Sequence, residues 1–146
     1  MLLPVTLTIA AACAALNIWL AARIVPGRMR GVSLGDGGDR AMLARVRSHA
    51  NLTEYAPFVL ILMALIELGG GSATWLWAAG AVFVLARLAH PFGMDRAAPN
   101  ALRAGGAAVT WIVLALLAGW AVALALQAGA NPVVTLSPQP VEAPRG

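Results

Sequence analysis

The stretch RSHANLTEY at residues 47–55 concentrates the reactive side chains of this chain: Arg47, Asn51, Glu54 and Tyr55 stand at the mouth of an apolar segment. Their spacing of i, i+4, i+7 and i+8 puts all four on one face of a helix. An arginine and a glutamate beside the hydrocarbon of a bilayer are costly and persist where a partner or a ligand answers them. With an amide and a phenol alongside, the set suits a small zwitterionic molecule. A structural ion pair between Arg47 and Glu54 inside the bundle is the plainer alternative.

The elements that must hold these groups are membrane helices. The chain of 146 residues is 60% hydrophobic and only 11% charged, with a mean hydropathy of +0.80, whereas a soluble domain carries roughly 25% charged residues. Four spans can be marked: about Leu3 to Ala22, a second that is polar from Met42 and apolar from Tyr55 to Leu68, Thr74 to His90, and Ala104 to Gln127. Each approaches the roughly twenty residues that cross a bilayer at about 1.5 Å per residue. Pro91 is expected to end the third, since proline lacks the amide hydrogen and constrains its predecessor. The prediction is all-α, a four-transmembrane-helix up-and-down bundle over residues 1–130. A Pro-rich tail over 131–146 holds too little apolar material to pack and is expected to be disordered.

All ten basic residues are arginine, and the formal charge is +4. Such a balance can signal nucleic acid, but here the arginines border apolar runs, and neither a reading helix nor a stacking platform is visible. Nine of the ten, from Arg23 to Arg103, fall at one end of the predicted bundle, whereas the turn GGGSAT at 69–74 has no charge. The positive-inside rule makes the arginine side cytoplasmic and puts both termini outside. In the first loop, SLGDGGDR at 33–40 suits a tight turn, with Asp36 or Asp39 capping the next helix. No GK[ST] follows to make it a phosphate loop. The single cysteine, Cys13, excludes an internal disulfide and reads as a packing residue. Two histidines and one cysteine, far apart, fall short of a metal set. Glu67, thirteen residues beyond Glu54, turns to a different face near the outer end.

The blocks RSHANLTEYAPF at 47–58 and RLAHPFGM at 87–94, together with Arg103 and the four-span layout, resemble the MAPEG family, membrane-associated proteins of eicosanoid and glutathione metabolism. The SLGDGG loop and the RLxH block resemble its bacterial branch, which implies the inner membrane. The resemblance covers about residues 5–127 and implies a homotrimer with sites between neighbouring subunits near the cytoplasmic side, each holding glutathione. Arg47, Asn51, Glu54 and Tyr55 match the family's helix-2 glutathione contacts, Arg87 its helix-3 arginine, and Arg23 a helix-1 arginine that contacts the ligand. The two carboxylates and one ammonium of glutathione suit arginines and Glu54 respectively.

Arg103 is the candidate for the arginine that stabilises the thiolate, with Arg96 as the alternative; it follows the APN stretch at 98–100, read as a flexible approach. His90 and Met94 stand where eukaryotic members have ligand-contacting tyrosines, so that His90 joins the candidate set and part of the pocket differs. Blander roles exist for two of these groups: Arg87 anchoring its helix at the interface by snorkelling, and His90 acting as a cap. Three classes of function follow. One is a glutathione-dependent transferase or peroxidase acting on small lipophilic electrophiles drawn from the membrane lipid. The second is a non-catalytic protein of the same fold. The third, a small four-helix exporter, would need an acidic residue in its first helix, and residues 1–22 have none.

Overall fold

The computed structural model describes residues 2–130; the expected disordered tail at 131–146 lies outside the described residues. Four helices account for nearly all of it: α1 (Pro4–Met29), α2 (Arg40–Leu68), α3 (Ala73–Met94) and α4 (Ala101–Ala130), and no strand occurs among the described residues. All four are long and apolar enough to cross a membrane. The helices run up and down. α1 packs against α2 and α3, α4 packs against the same two, and α1 and α4 do not touch.

The buried positions follow helical periodicity. On α2 they are Leu52, Ala56, Val59, Met63 and Ile66, and on α4 Gly106, Thr110, Val113 and Leu117. These spacings of three and four residues make one stripe facing the neighbours. The outward faces are also apolar, with Leu116 and Leu126 exposed, because lipid and core ask for the same side chains. On α3 the inward stripe changes character along its length. It starts as Leu76, Gly80 and Phe83 and continues as Arg87 and His90, both buried.

Local chemistry sets the helix ends. Asp39 caps α2 by accepting from the Ala41 amide at 2.8 Å, while Asp36 accepts from Gly38 N within the turn. At the far end of α2, Gly70 N donates to the Glu67 carbonyl at 3.2 Å and Gly71 N to the Ile66 carbonyl at 2.8 Å. This Schellman closure needs a left-handed residue, which Gly70 supplies with φ +78°. Pro91 does not end α3, contrary to the sequence expectation. The helix continues to Met94 with Pro91 and Gly93 buried, because one lost amide bond is tolerated where the segment is packed against another helix.

Glu67 has a role that its spacing did not disclose. Its carboxylate accepts from Val5 N at 3.0 Å, Thr6 N at 2.8 Å and Thr6 Oγ1 at 2.7 Å, so α2 caps the first turn of α1 from across the bundle. Glu67→Ala should therefore lower stability by about 1–2 kcal/mol, the scale of a lost helix cap. Thermal unfolding in detergent reads this directly, and an unchanged midpoint would deny the cap any energetic weight.

Candidate functional site

At the end of the bundle that gathers the arginines, the C-terminal turns of α3 and the N-terminal turns of α2 and α4 enclose a cavity of about 530 Å³. Its lining includes Arg47, Asn51, His90, Met94, Asn100 and Arg103, and no carboxylate. The volume is in the range of small-molecule sites. The side chains of Arg47 and Arg103 are exposed and make no hydrogen bond or ion pair among the described residues. The cavity therefore presents two uncompensated guanidinium groups.

A third arginine lies beneath them. Arg87 is only 2% exposed. One of its terminal nitrogens donates to Asn51 Oδ1 and the other to the Gly106 carbonyl at 2.5 Å, while Nε has no partner. Burial without a carboxylate is costly for a cation, and it excludes the snorkelling alternative for this residue. The arrangement has a consequence for the cavity. With Oδ1 taken by Arg87, Asn51 keeps its NH₂ group as a donor, and that group carries no hydrogen bond among the described residues. Guanidiniums and an amide donor around one space, without a carboxylate, favour an anionic ligand group.

The approach to Arg103 is a built structure. Asn100 caps α4, its Oδ1 accepting from Arg103 N at 3.0 Å while its Nδ2 donates to the Gly93 carbonyl at 2.8 Å and the Ala97 carbonyl at 3.1 Å. His90 Nδ1 lies 3.2 Å from the Arg103 carbonyl. A Cβ on Gly93 would stand 2.3 Å from Arg103 N, so only glycine permits this contact between α3 and α4. The expectation of a flexible APN approach is thus corrected: Asn100 is tied at three points. Its signal was present in the sequence, as an asparagine immediately before a helical run.

Within one chain the structure brings together Arg47, Asn51, His90 and Arg103, with Arg87 behind Asn51. It does not bring in Glu54, Tyr55 or Arg23. Glu54 is exposed and has no partner, so the Arg47–Glu54 ion pair is absent from the chain. The Tyr55 hydroxyl accepts from Trp111 Nε1 on α4 at 3.0 Å. Arg23 is paired with Asp95 and lies over the ring of Trp19, 5.2 Å from its centroid. Arg96, the alternative to Arg103, is exposed and outside the cavity lining. Among the described residues no cluster of His, Cys, Asp and Glu is suited to a metal ion.

A four-helix membrane-spanning bundle with an electropositive cavity at one end is the class of protein that fold and site define. The chain matches the sequence profile of the MAPEG family over residues 6–123 and belongs to that family. A search of curated proteins found no match.

Proposed function

We propose that the cavity binds the anionic groups of glutathione and that the protein is a glutathione-dependent transferase or peroxidase acting on small lipophilic electrophiles. The observation that carries this reading is the cluster of Arg47, Arg103 and the Asn51 amide around a space of about 530 Å³ with no carboxylate in its lining. Family membership supports it. In the transferase form, the thiol proton passes to water, and the thiolate sulfur attacks the electrophilic carbon, forming the C–S bond as the bond to the leaving group breaks and that group departs with the bonding pair as an anion. Binding without turnover is the second reading. It is favoured by one feature, the presence of His90 and Met94 in the lining with no tyrosine among them.

The site is completed by a second copy of the chain in a homotrimer. Arg47, Glu54, Phe58, Ile61 and Leu65 are all exposed and lie on one face of α2 at spacings of seven, four, three and four residues. A carboxylate left on such a face, within an apolar helix, is costly against lipid and calls for a cover. Glu54 then receives the glutathione ammonium from the interface. Glu54→Gln should weaken glutathione binding by about 1–3 kcal/mol, the scale of a charge-assisted hydrogen bond, while native mass spectrometry in mild detergent still shows the trimer. Dissociation of the variant without ligand would make Glu54 a structural contact instead. A stable wild-type monomer that binds glutathione would reject the shared site.

The orientation follows from the arginines. Reporter fusions within the 33–40 loop and after Gln127 should report opposite sides of the bacterial inner membrane, with the loop in the cytoplasm. A cytoplasmic signal after Gln127 would reverse the assignment and place the site on the outer face.

A further inference from the structure

A second polar recess, of about 500 Å³, opens between the end of α1, the start of α2 and the connection from α3 to α4. It shares Met94 with the candidate site but is lined by different charged groups, Arg23, Asp39, Arg40, Arg45 and Asp95. Neither carboxylate forms an ion pair with Arg40 or Arg45. Asp95 takes the Arg23 guanidinium, and Asp39 accepts from the Ala41 amide as the cap of α2. Arg40 has no hydrogen bond or ion pair among the described residues, and Arg45 makes one long bond of 3.4 Å to the Arg23 carbonyl. The recess thus holds three guanidiniums against two carboxylates, and Arg40 and Arg45 are the two that no carboxylate pairs.

We propose that this recess binds a phosphate group, with Arg40 and Arg45 as its donors. The chemistry is specific to that geometry. A tetrahedral phosphate offers several oxygens in different directions and so bridges two guanidiniums from different turns of a helix, where a single carboxylate engages one fork. Its place at the arginine-rich ends of membrane-spanning helices is where headgroups meet protein. Two sources carry the same group: the headgroup of an anionic glycerophospholipid from the adjoining leaflet, and a soluble phosphate ester. The proposal is independent of glutathione, since its donors, Arg40 and Arg45, are not among the candidate glutathione contacts.

Native mass spectrometry of delipidated full-length protein with added phosphatidylglycerol tests it. Wild type should retain the lipid, and a diacylglycerol of the same chains, which lacks the phosphate, should not be retained. Arg40→Gln/Arg45→Gln should weaken retention about tenfold through loss of charge-assisted bonds. Arg30→Gln/Arg96→Gln, which removes the same charge at exposed positions of the same end outside the recess, should leave it unchanged. If the first pair does not fold, the single Arg40→Gln on the exposed first turn of α2 carries the same expectation. Equal losses in the two double variants would mean diffuse charge attraction and overturn the proposal, as would equal retention in all three proteins. Displacement of the lipid by excess glycerol phosphate supports the site and assigns it to the phosphate alone. Retention despite that excess supports it as a site for the intact lipid.

Discussion

Arg103→Ala should abolish the ultraviolet thiolate signal of bound glutathione at neutral pH while keeping most of the binding. A thiol with a pKa near 8.5 is only a few per cent ionised at pH 7, so useful nucleophilicity requires the anion to be stabilised. Each unit of depression needs about 1.4 kcal/mol, within reach of one guanidinium in a partly dried cavity. In the single chain Arg103 is exposed, where solvent screens its field. In the proposed trimer, cover by a second copy would reduce that screening. Losing Arg103 should cut the thiolate fraction about tenfold or more, and with it kcat/KM for a lipophilic electrophile. Binding should weaken far less, because Arg47 and the Asn51 amide remain. Arg96→Ala, at a position outside the lining, should leave the thiolate signal intact. If loss follows Arg96 and not Arg103, the roles of the two are exchanged.

The second large effect separates charge from packing at Arg87. Arg87→Ala should cost about 2–4 kcal/mol of stability, since it opens a cavity and leaves Asn51 Oδ1 without its donor. Arg87→Met should recover most of that loss, although Asn51 Oδ1 lacks its donor in this variant too. Methionine fills most of the volume, the desolvated charge is gone, and the Gly106 carbonyl keeps the Thr110 hydroxyl at 2.9 Å as a partner. Glutathione affinity should nevertheless fall about tenfold. The cation behind the cavity contributes about 1–2 kcal/mol at an effective dielectric near 20, and Asn51 loses the bond that orients its NH₂ group. A Met variant with wild-type affinity would reduce Arg87 to a packing residue. One that unfolds would make it a structural linchpin of α2, α3 and α4.

Much of the architecture was legible because a membrane span is written in composition. Four apolar runs, the arginines at one end and the uncharged turn at 69–74 were enough for an up-and-down bundle. Asp39 was readable as a cap because capping is local chemistry. The interior was less legible, since Leu117 in the core and Leu116 on the lipid face belong to the same residue type and hydropathy does not part them. Pro91 misled because proline's local cost was outweighed by the packing of α3 on α4. Glu67 and Thr6 are 61 residues apart, and no local pattern joins them.

The site was legible in the same uneven way. Arg47, Asn51, His90 and Arg103 were all singled out and share one cavity. Arg87 was singled out too, but its burial behind Asn51 depends on a pairing between α2 and α3 that spacing along one helix does not reveal. Arg23 answers to Asp95 through a contact made only when α1 and the end of α3 come together. Glu54 shares a face of α2 with Arg47 but lies two turns further along, outside the cavity lining of its own chain.

A glutathione titration of the purified wild-type protein in mild detergent at neutral pH, followed by ultraviolet thiolate absorbance, decides whether the cavity is a site for the thiolate of glutathione. Saturable binding is expected, at a stoichiometry of one site per chain, with a thiolate signal that persists to well below the thiol's ordinary pKa. Saturable binding with no thiolate signal would contradict catalysis and leave a binding protein. Failure to bind at all would contradict the assignment of the cavity to glutathione.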